Sequence, residues 1–197
     1  MQNVSETKSQ KAIRLAARKL FWKHGIRKVS VEEICKAANV SKMTFYRNFE
    51  NKTEIAERVL NFYVRDELIS YRSIMHSDFP FNQRIAQLIE HKRKLSKSVS
   101  EEFLHDILNA EDDQLRNLIV KLKEETSKEF YDDMLKAQKD GWIRPEIKIE
   151  FFVYMIDMIQ REMENEHFLS LFDDLEDANM EISNLLFHGV ISSNKVN

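Results

Sequence analysis

The sequence predicts an all-α protein. Only 3 Gly and 2 Pro occur in 197 residues, so the punctuation that strands and hairpins need is nearly absent. Apolar residues recur at i, i+3, i+4 and i+7 along most of the chain, the spacing of one helix face. With 43% apolar and 32% charged residues, the chain can fill a core and solvate the outer faces of its helices.

Residues 1–8 are polar and expected to be loose. A first helix follows from Ser9 to His24, with Ile13, Ala17, Leu20, Phe21 and His24 on one stripe and Gly25 as its stop. Ser30 caps a second helix that buries Val31, Ile34, Cys35 and Ala38, and Glu32 and Glu33 stand in its first turn, where the helix dipole favours anions. Asn39 occupies the turn, since Asn tolerates the left-handed conformation. Ser41 caps a third helix over 41–47, in which Phe45, with Phe49 just beyond it, supplies the inner face.

A long fourth helix spans Thr53 to Met75. The break at 78–82 precedes helices at 82–97, 100–109 and 111–139; Ile85, Leu88, Ile89, Lys92 and Leu95 form the inner stripe of the first of these. After the break at 141–145 come an eighth helix over 146–167 and a ninth over 173–190. The eighth is apolar on two sides: Phe152, Ile156, Ile159 and Met163 form one stripe, with Phe151, Met155 and Met158 beside it. In the ninth, Ala178 and Gly189 let another helix come close, beside Ile182 and Leu185.

Charge is unevenly shared. Residues 1–60 hold 13 Lys and Arg against 6 Asp and Glu, whereas the remainder hold 17 against 27, within a net charge of −3. That asymmetry is expected where only the N-terminal part meets a polyanion. No apolar stretch is long enough for a membrane span, and the N-terminus lacks the apolar core of a signal peptide, so a cytoplasmic protein is expected. The single Cys35 reads as a buried small apolar residue. The six His are dispersed, which predicts no metal site, and there is no phosphate-cradling glycine loop, nucleophile elbow or HExxH pair. Neither an enzyme nor a bound cofactor is expected.

The second and third helices have the spacing of a helix-turn-helix unit, whose partner is the DNA major groove. The outward residues of the third helix, Lys42, Met43, Thr44, Arg47 and Asn48, are the expected base contacts. Lys and Arg donate to guanine, Asn pairs with adenine, and Thr and Met pack on thymine methyls. Ser30 and Ser41, as caps, and Arg27 and Lys28, in the preceding loop, are candidate phosphate contacts.

Three segments together carry a family likeness: Ala16-Ala17-x-x-Leu20-Phe21-x-x-x-Gly25, Val31-x-x-Ile34-x-x-x-Ala38-Asn39-Val40-Ser41 and Thr44-Phe45-Tyr46-x-x-Phe49-x-x-Lys52. On these the chain resembles the TetR family of bacterial transcriptional regulators, most closely over residues 9–60. Asn39 stands where the family usually has Gly, and Cys35 where Ala is common.

The resemblance implies a DNA-binding domain over 1–52 and an effector-binding and dimerisation domain over 53–197. It adds Tyr46 and Lys52 as phosphate ligands. It also implies a homodimer that repress transcription from a palindromic operator until a small-molecule effector releases it. The pocket candidates are Phe103, Phe130, Tyr131, Trp142, Phe151 and Tyr154. The dimer interface is expected on the last two helices, through Phe152, Ile156, Ile159, Met163, Ala178, Ile182, Leu185 and Gly189. The same fold controlled by a protein partner, or acting as an activator, stays open as the alternative. The acidic 101–140 stretch is the surface for such a partner.

Overall fold

A computed structural model of the chain describes residues 6–163 and 165–191. Among them it forms ten helices: α1 (Lys8–His24), α2 (Val31–Ala38), α3 (Lys42–Asn48), α4 (Lys52–Met75), α5 (Phe81–Ser96), α6 (Glu101–Leu108), α7 (Asp113–Lys139), α8 (Ile149–Glu162), α9 (Glu166–Leu169) and α10 (Leu175–Val190). The class is all-α, as the periodicity predicts. None of the described helices is long and apolar enough to cross a membrane.

The chain packs as two units. The first contains the residues up to Asp66 together with Ser98–Leu122; the second contains Glu67–Lys97 and the residues from Lys123 onward. Both α4 and α7 contribute residues to each unit.

In the first unit, α1 begins on a capping box. Gln10 N donates to Thr7 Oγ1 (3.2 Å) and Thr7 N to Gln10 Oε1 (2.9 Å). Glu6 is held by a two-bond fork from the buried Arg14, whose guanidinium also stacks 3.8 Å above the Phe62 ring. Glu6 and Thr7 are therefore anchored rather than loose; residues 1–5 of the same expectation lie outside the described residues. The core of this unit gathers Ile13, Ala17, Phe21, Ile34, Phe45, Phe49, Ile55 and Val59, all essentially inaccessible to water. Cys35 is buried with them, and burial pushes its thiol pKa up.

Helix α6 belongs to this core. Trp22 packs on Phe103 with ring centroids 4.2 Å apart and edge-on against Tyr63 at 4.9 Å, and Ser100 N donates to Trp22 O at 2.9 Å. The approach is closest at Gly25, where the chain leaves α1 with φ 80° and ψ 163°. A Cβ there would stand 2.6 Å from Asp106 Oδ2 and 3.2 Å from the Glu102 backbone oxygen.

The second unit is built around Met75, Phe81, Ile85, Met134, Ile143, Ile149 and Phe152. Gln138 Nε2 donates to the carbonyls of Arg144 (3.0 Å) and Ile147 (2.7 Å), which fixes the turn ahead of α8. Ile143 and Ile191 pair as an isolated antiparallel bridge. The expected eighth helix over 146–167 is divided into α8 and the short α9. The Asn165 side chain accepts from His167 N (3.0 Å) and Phe168 N (3.3 Å), so it starts a new helix where the stripe alone reads as one.

The Gly25 conformation lies in a region open essentially to Gly alone. Gly25→Ala is expected to cost about 1–3 kcal/mol in backbone strain, with displacement of α6 from α1 besides. A urea denaturation midpoint equal to that of the parent chain would contradict the close approach.

Candidate nucleic-acid interface and ligand cavity

The reading unit is assembled from local devices. Ser30 and Glu33 form a second capping box: Glu33 N donates to Ser30 Oγ (3.2 Å) and Ser30 N to Glu33 Oε2 (2.8 Å). The S-x-x-E spacing at 30–33 is legible in the sequence as that box, and supplies more than the lone cap expected there. Asn39 closes α2 in the left-handed conformation, φ 53° and ψ 48°. Val40 N then donates to Cys35 O at 3.0 Å, and Ser41 Oγ caps Thr44 N at 3.0 Å.

With Phe45 and Phe49 buried, α3 turns its other faces outward. Met43 is 77% and Tyr46 56% exposed, and Lys42 and Arg47 are exposed as well. Thr44 and Asn48 are half-buried; Asn48 Nδ2 donates back to Thr44 O at 2.6 Å. Lys42 is paired with Glu32 of α2, and each partner's charge is favoured by their hydrogen bond, raising the lysine pKa and lowering that of the glutamate. Among the described residues, neither the Tyr46 hydroxyl nor the Arg47 guanidinium has a hydrogen-bond partner, so both are open to an external acceptor.

The other candidate phosphate contacts are engaged within the protein. Arg27 Nε bonds Asp106 Oδ1 at 2.5 Å and its Nη1 reaches Glu111 at 3.2 Å; the Asp106 bond is the main cause of its raised pKa. Lys28 pairs with Glu102 at 3.2 Å. Lys52 donates to the carbonyls of Arg27 and Val29, both at 3.0 Å, and burial lowers its pKa. The hydroxyls of Ser30 and Ser41 are used in capping, the latter also bonded to Thr44 Oγ1 at 2.9 Å. In this conformation the free cations expected at 27, 28 and 52 are thus internal links. The acids of α6 and the following turn neutralise Arg27 and Lys28, which also uses part of the acidic 101–140 surface, while Lys52 is held by backbone carbonyls.

The second unit carries an open cavity of about 370 Å³, within the size range of small-molecule sites. Its wall takes Leu68 and Tyr71 from α4, Leu88 and Leu95 from α5, Phe130 from α7, Ile156 and Ile159 from α8, and Leu186 and Phe187 from α10. Phe130, Phe152 and Phe187 form an aromatic trio with centroids 5.9–6.5 Å apart.

Of the six expected pocket residues, only Phe130 lines this cavity. Phe103 is in the core of the first unit. Trp142 packs toward Phe81, and Tyr131 bonds Glu150 at 2.7 Å. Phe151 and Tyr154 face outward, 59% and 57% exposed. Helical spacing identifies an apolar residue without telling which of two apolar surroundings it meets.

The residues expected on the dimer stripe of α8 and α10 are divided in the same way. Phe152 and Ala178 are buried in the second unit, while Ile156, Ile159, Met163 and Ile182 line the cavity. The outward apolar row of α8 is instead Phe151, Tyr154 and Met158. On α10, Leu185 (76% exposed) and Gly189 do face outward, and nothing lies within 4 Å of a Cβ built on Gly189.

Sequence reasoning missed Tyr71, His91 and Ser183 as cavity residues. Tyr71 donates to Asp133 at 2.8 Å, and burial together with that bond pushes its pKa up. His91 is bonded to Glu67 at 2.7 Å.

Residues 13–59 match the model of the bacterial regulatory proteins, tetR family. No curated protein matches the chain. Solved structures match over nearly its whole length. FadR from Bacillus subtilis in complex with stearoyl-CoA is 18% identical, with a TM-score of 0.69 over 91% of this chain and 98% of that one. A regulator from Saccharomonospora viridis in complex with choline is 14% identical, with a TM-score of 0.73 over 92% and 97%. Reduced NemR from E. coli is 13% identical, with a TM-score of 0.75 over 95% and 100%. At these identities the likeness is one of fold.

Lys52 supplies a test of its internal role. Because burial lowers its folded pKa, the unfolded chain binds more protons between that pKa and the usual lysine value near 10.4. Its contribution to stability therefore rises with pH through that alkaline window. Lys52→Met is expected to show a shallower rise than the parent chain in denaturation midpoints measured from pH 8 to about 10.5; identical slopes would contradict the burial.

Proposed function

We propose, for a chain that belongs to the TetR family of transcriptional regulators, that it represses from a palindromic operator as a homodimer and is released by a small molecule held in the second unit. As a member it is a DNA-binding regulator and not an enzyme. The observation that carries the proposal is the outer face of α3: a buried Phe45 and Phe49 anchor a short helix whose Met43, Tyr46 and Arg47 stand in solvent, two of them polar and without a hydrogen-bond partner among the described residues.

Arg47, Met43 and Thr44 read base edges, with Lys42 joining them once it leaves Glu32, and Asn48 supports or joins the set. Tyr46 positions the helix on a phosphate. Arg27, Lys28 and Lys52 reach phosphates only by exchanging their internal partners for the backbone of DNA. Two copies meet through the outward rows of α8 and α10, Phe151, Tyr154 and Met158 with Leu185 and Gly189, which are apolar surfaces that a monomer leaves in water.

Fold relatives holding stearoyl-CoA and choline support a small-molecule effector here, and the cavity is its site. Glu67, Leu68 and Tyr71 of α4 line it, and the same helix begins at Lys52 in the reading unit. An effector releases DNA only by preferring one of two settings of that helix.

Selection from random duplexes is expected to return an inverted repeat with half-sites about one helical turn (~34–36 Å) or more apart. On that site Arg47→Ala should lose about 1–3 kcal/mol, concentrated at one or two base pairs. A single direct motif, or equal weakening on every operator variant, would contradict the reading. Tyr154→Glu is expected to convert the dimer to a monomer in sedimentation and to abolish operator binding at equal protomer concentration; an unchanged dimer would remove α8 from the interface.

A further inference from the structure

We propose that the effector is an amphiphile, a hydrocarbon chain with one anionic head group, and that Lys92 receives the head. The inference rests on the cavity being the effector site. It starts from an anomaly in α5, where Lys92 occupies the apolar stripe with Leu88 and Leu95, one turn before and after it, and all three line the cavity.

The charges around the wall explain why the ligand is an anion. Four ionisable side chains besides Tyr71 reach the cavity: Glu67, His91, Lys92 and Asp157. Glu67 is bonded to His91, and Asp157 is paired with Lys123 and with Arg161, the latter at 2.6 Å. Lys92 has no acidic partner among the described residues. Both lining acids are satisfied within the protein, so a cationic ligand would have to displace an existing partner. An anion would instead complete the one charge left unmatched.

Lys92 is exposed, yet the surrounding protein lowers its ammonium pKa by desolvation. An anionic oxygen restores what that desolvation removes. A second polar group points the same way: Ser183 is 3% exposed on the cavity wall, and its hydroxyl has no hydrogen-bond partner among the described residues. The rest of the wall is mostly aliphatic and aromatic, suited to a chain. The volume of about 370 Å³ holds roughly a dozen heavy atoms at the ~30 Å³ of a water-sized group.

The test is calorimetric titration of the full chain with four ten-carbon probes below their micelle concentrations: decanoate, decyl phosphate, decan-1-ol and decyltrimethylammonium. One or both anions should bind about tenfold to a hundredfold more tightly than the alcohol, and the tighter of the two identifies the head group. Lys92→Met and Lys92→Gln, each checked for helix content, should erase that preference while holding or improving binding of decan-1-ol. An alcohol or cation that binds as well as the anions, or an anion preference that survives in both variants, overturns the head-group assignment. Ile156→Trp, which fills the cavity, separates this from the broader reading: if it binds every probe as the parent does, the cavity is not the effector site. No binding of any probe to the parent chain overturns the amphiphile.

Discussion

The carboxylate of Asp106 lies against the turn between α1 and α2, and much of the first unit is arranged around it. Its Oδ2 accepts from Arg27 N at 2.9 Å and leaves room at residue 25 for glycine only, while its Oδ1 takes the Arg27 guanidinium. A buried carboxylate is tolerable only when its oxygens are so occupied. The turn it holds also presents the carbonyls of Arg27 and Val29 to Lys52 at the start of α4. One acid on α6 thus links the stop of α1, the entry to the reading helices and the first turn of α4.

This arrangement has a consequence for recognition. Arg27 and Lys28 are already neutralised at close range, so DNA must compete with Asp106, Glu102 and Glu111 for them, and for Lys52 with two backbone carbonyls. Exposed ion pairs contribute little to stability and weaken with salt, so such exchange is inexpensive at the rim, at Lys28, and more costly at the half-buried Lys52. The outer face of α3 faces less of this competition: Arg47 and Tyr46 are open, and only Lys42 has an acidic neighbour to leave.

The helices and the reading unit were largely legible because their signals are short-range. Caps at Ser30 and Ser41, the left-handed turn at Asn39 and the inward Phe45 are all set by residues within four positions of one another. Asn165 shows the limit even there. Its cap divides the eighth predicted helix, because an apolar stripe on both sides of a short polar interruption reads as continuous until the side chain is seen turning back on the backbone.

The cavity and the dimer face were not legible to the same depth. The two apolar rows of α8 differ in sequence by a rotation about one helix, and nothing local distinguishes the row that meets α7 and α10 from the row left in water. Lys92 was visible as a polar residue in an apolar stripe, but its lack of an acidic partner among the described residues depends on acids elsewhere being taken by other residues. The helical class, the helix-turn-helix unit and the outer face of α3 are readable from the residues alone, since periodicity and capping act within a turn or two. Which cations are spent internally and which aromatics line the cavity follow from long-range packing. Those outcomes depend on groups far apart in the chain, such as Glu102 for Lys28 and Asp106 for Arg27, 74 and 79 positions away, where folding and not spacing brings the groups together.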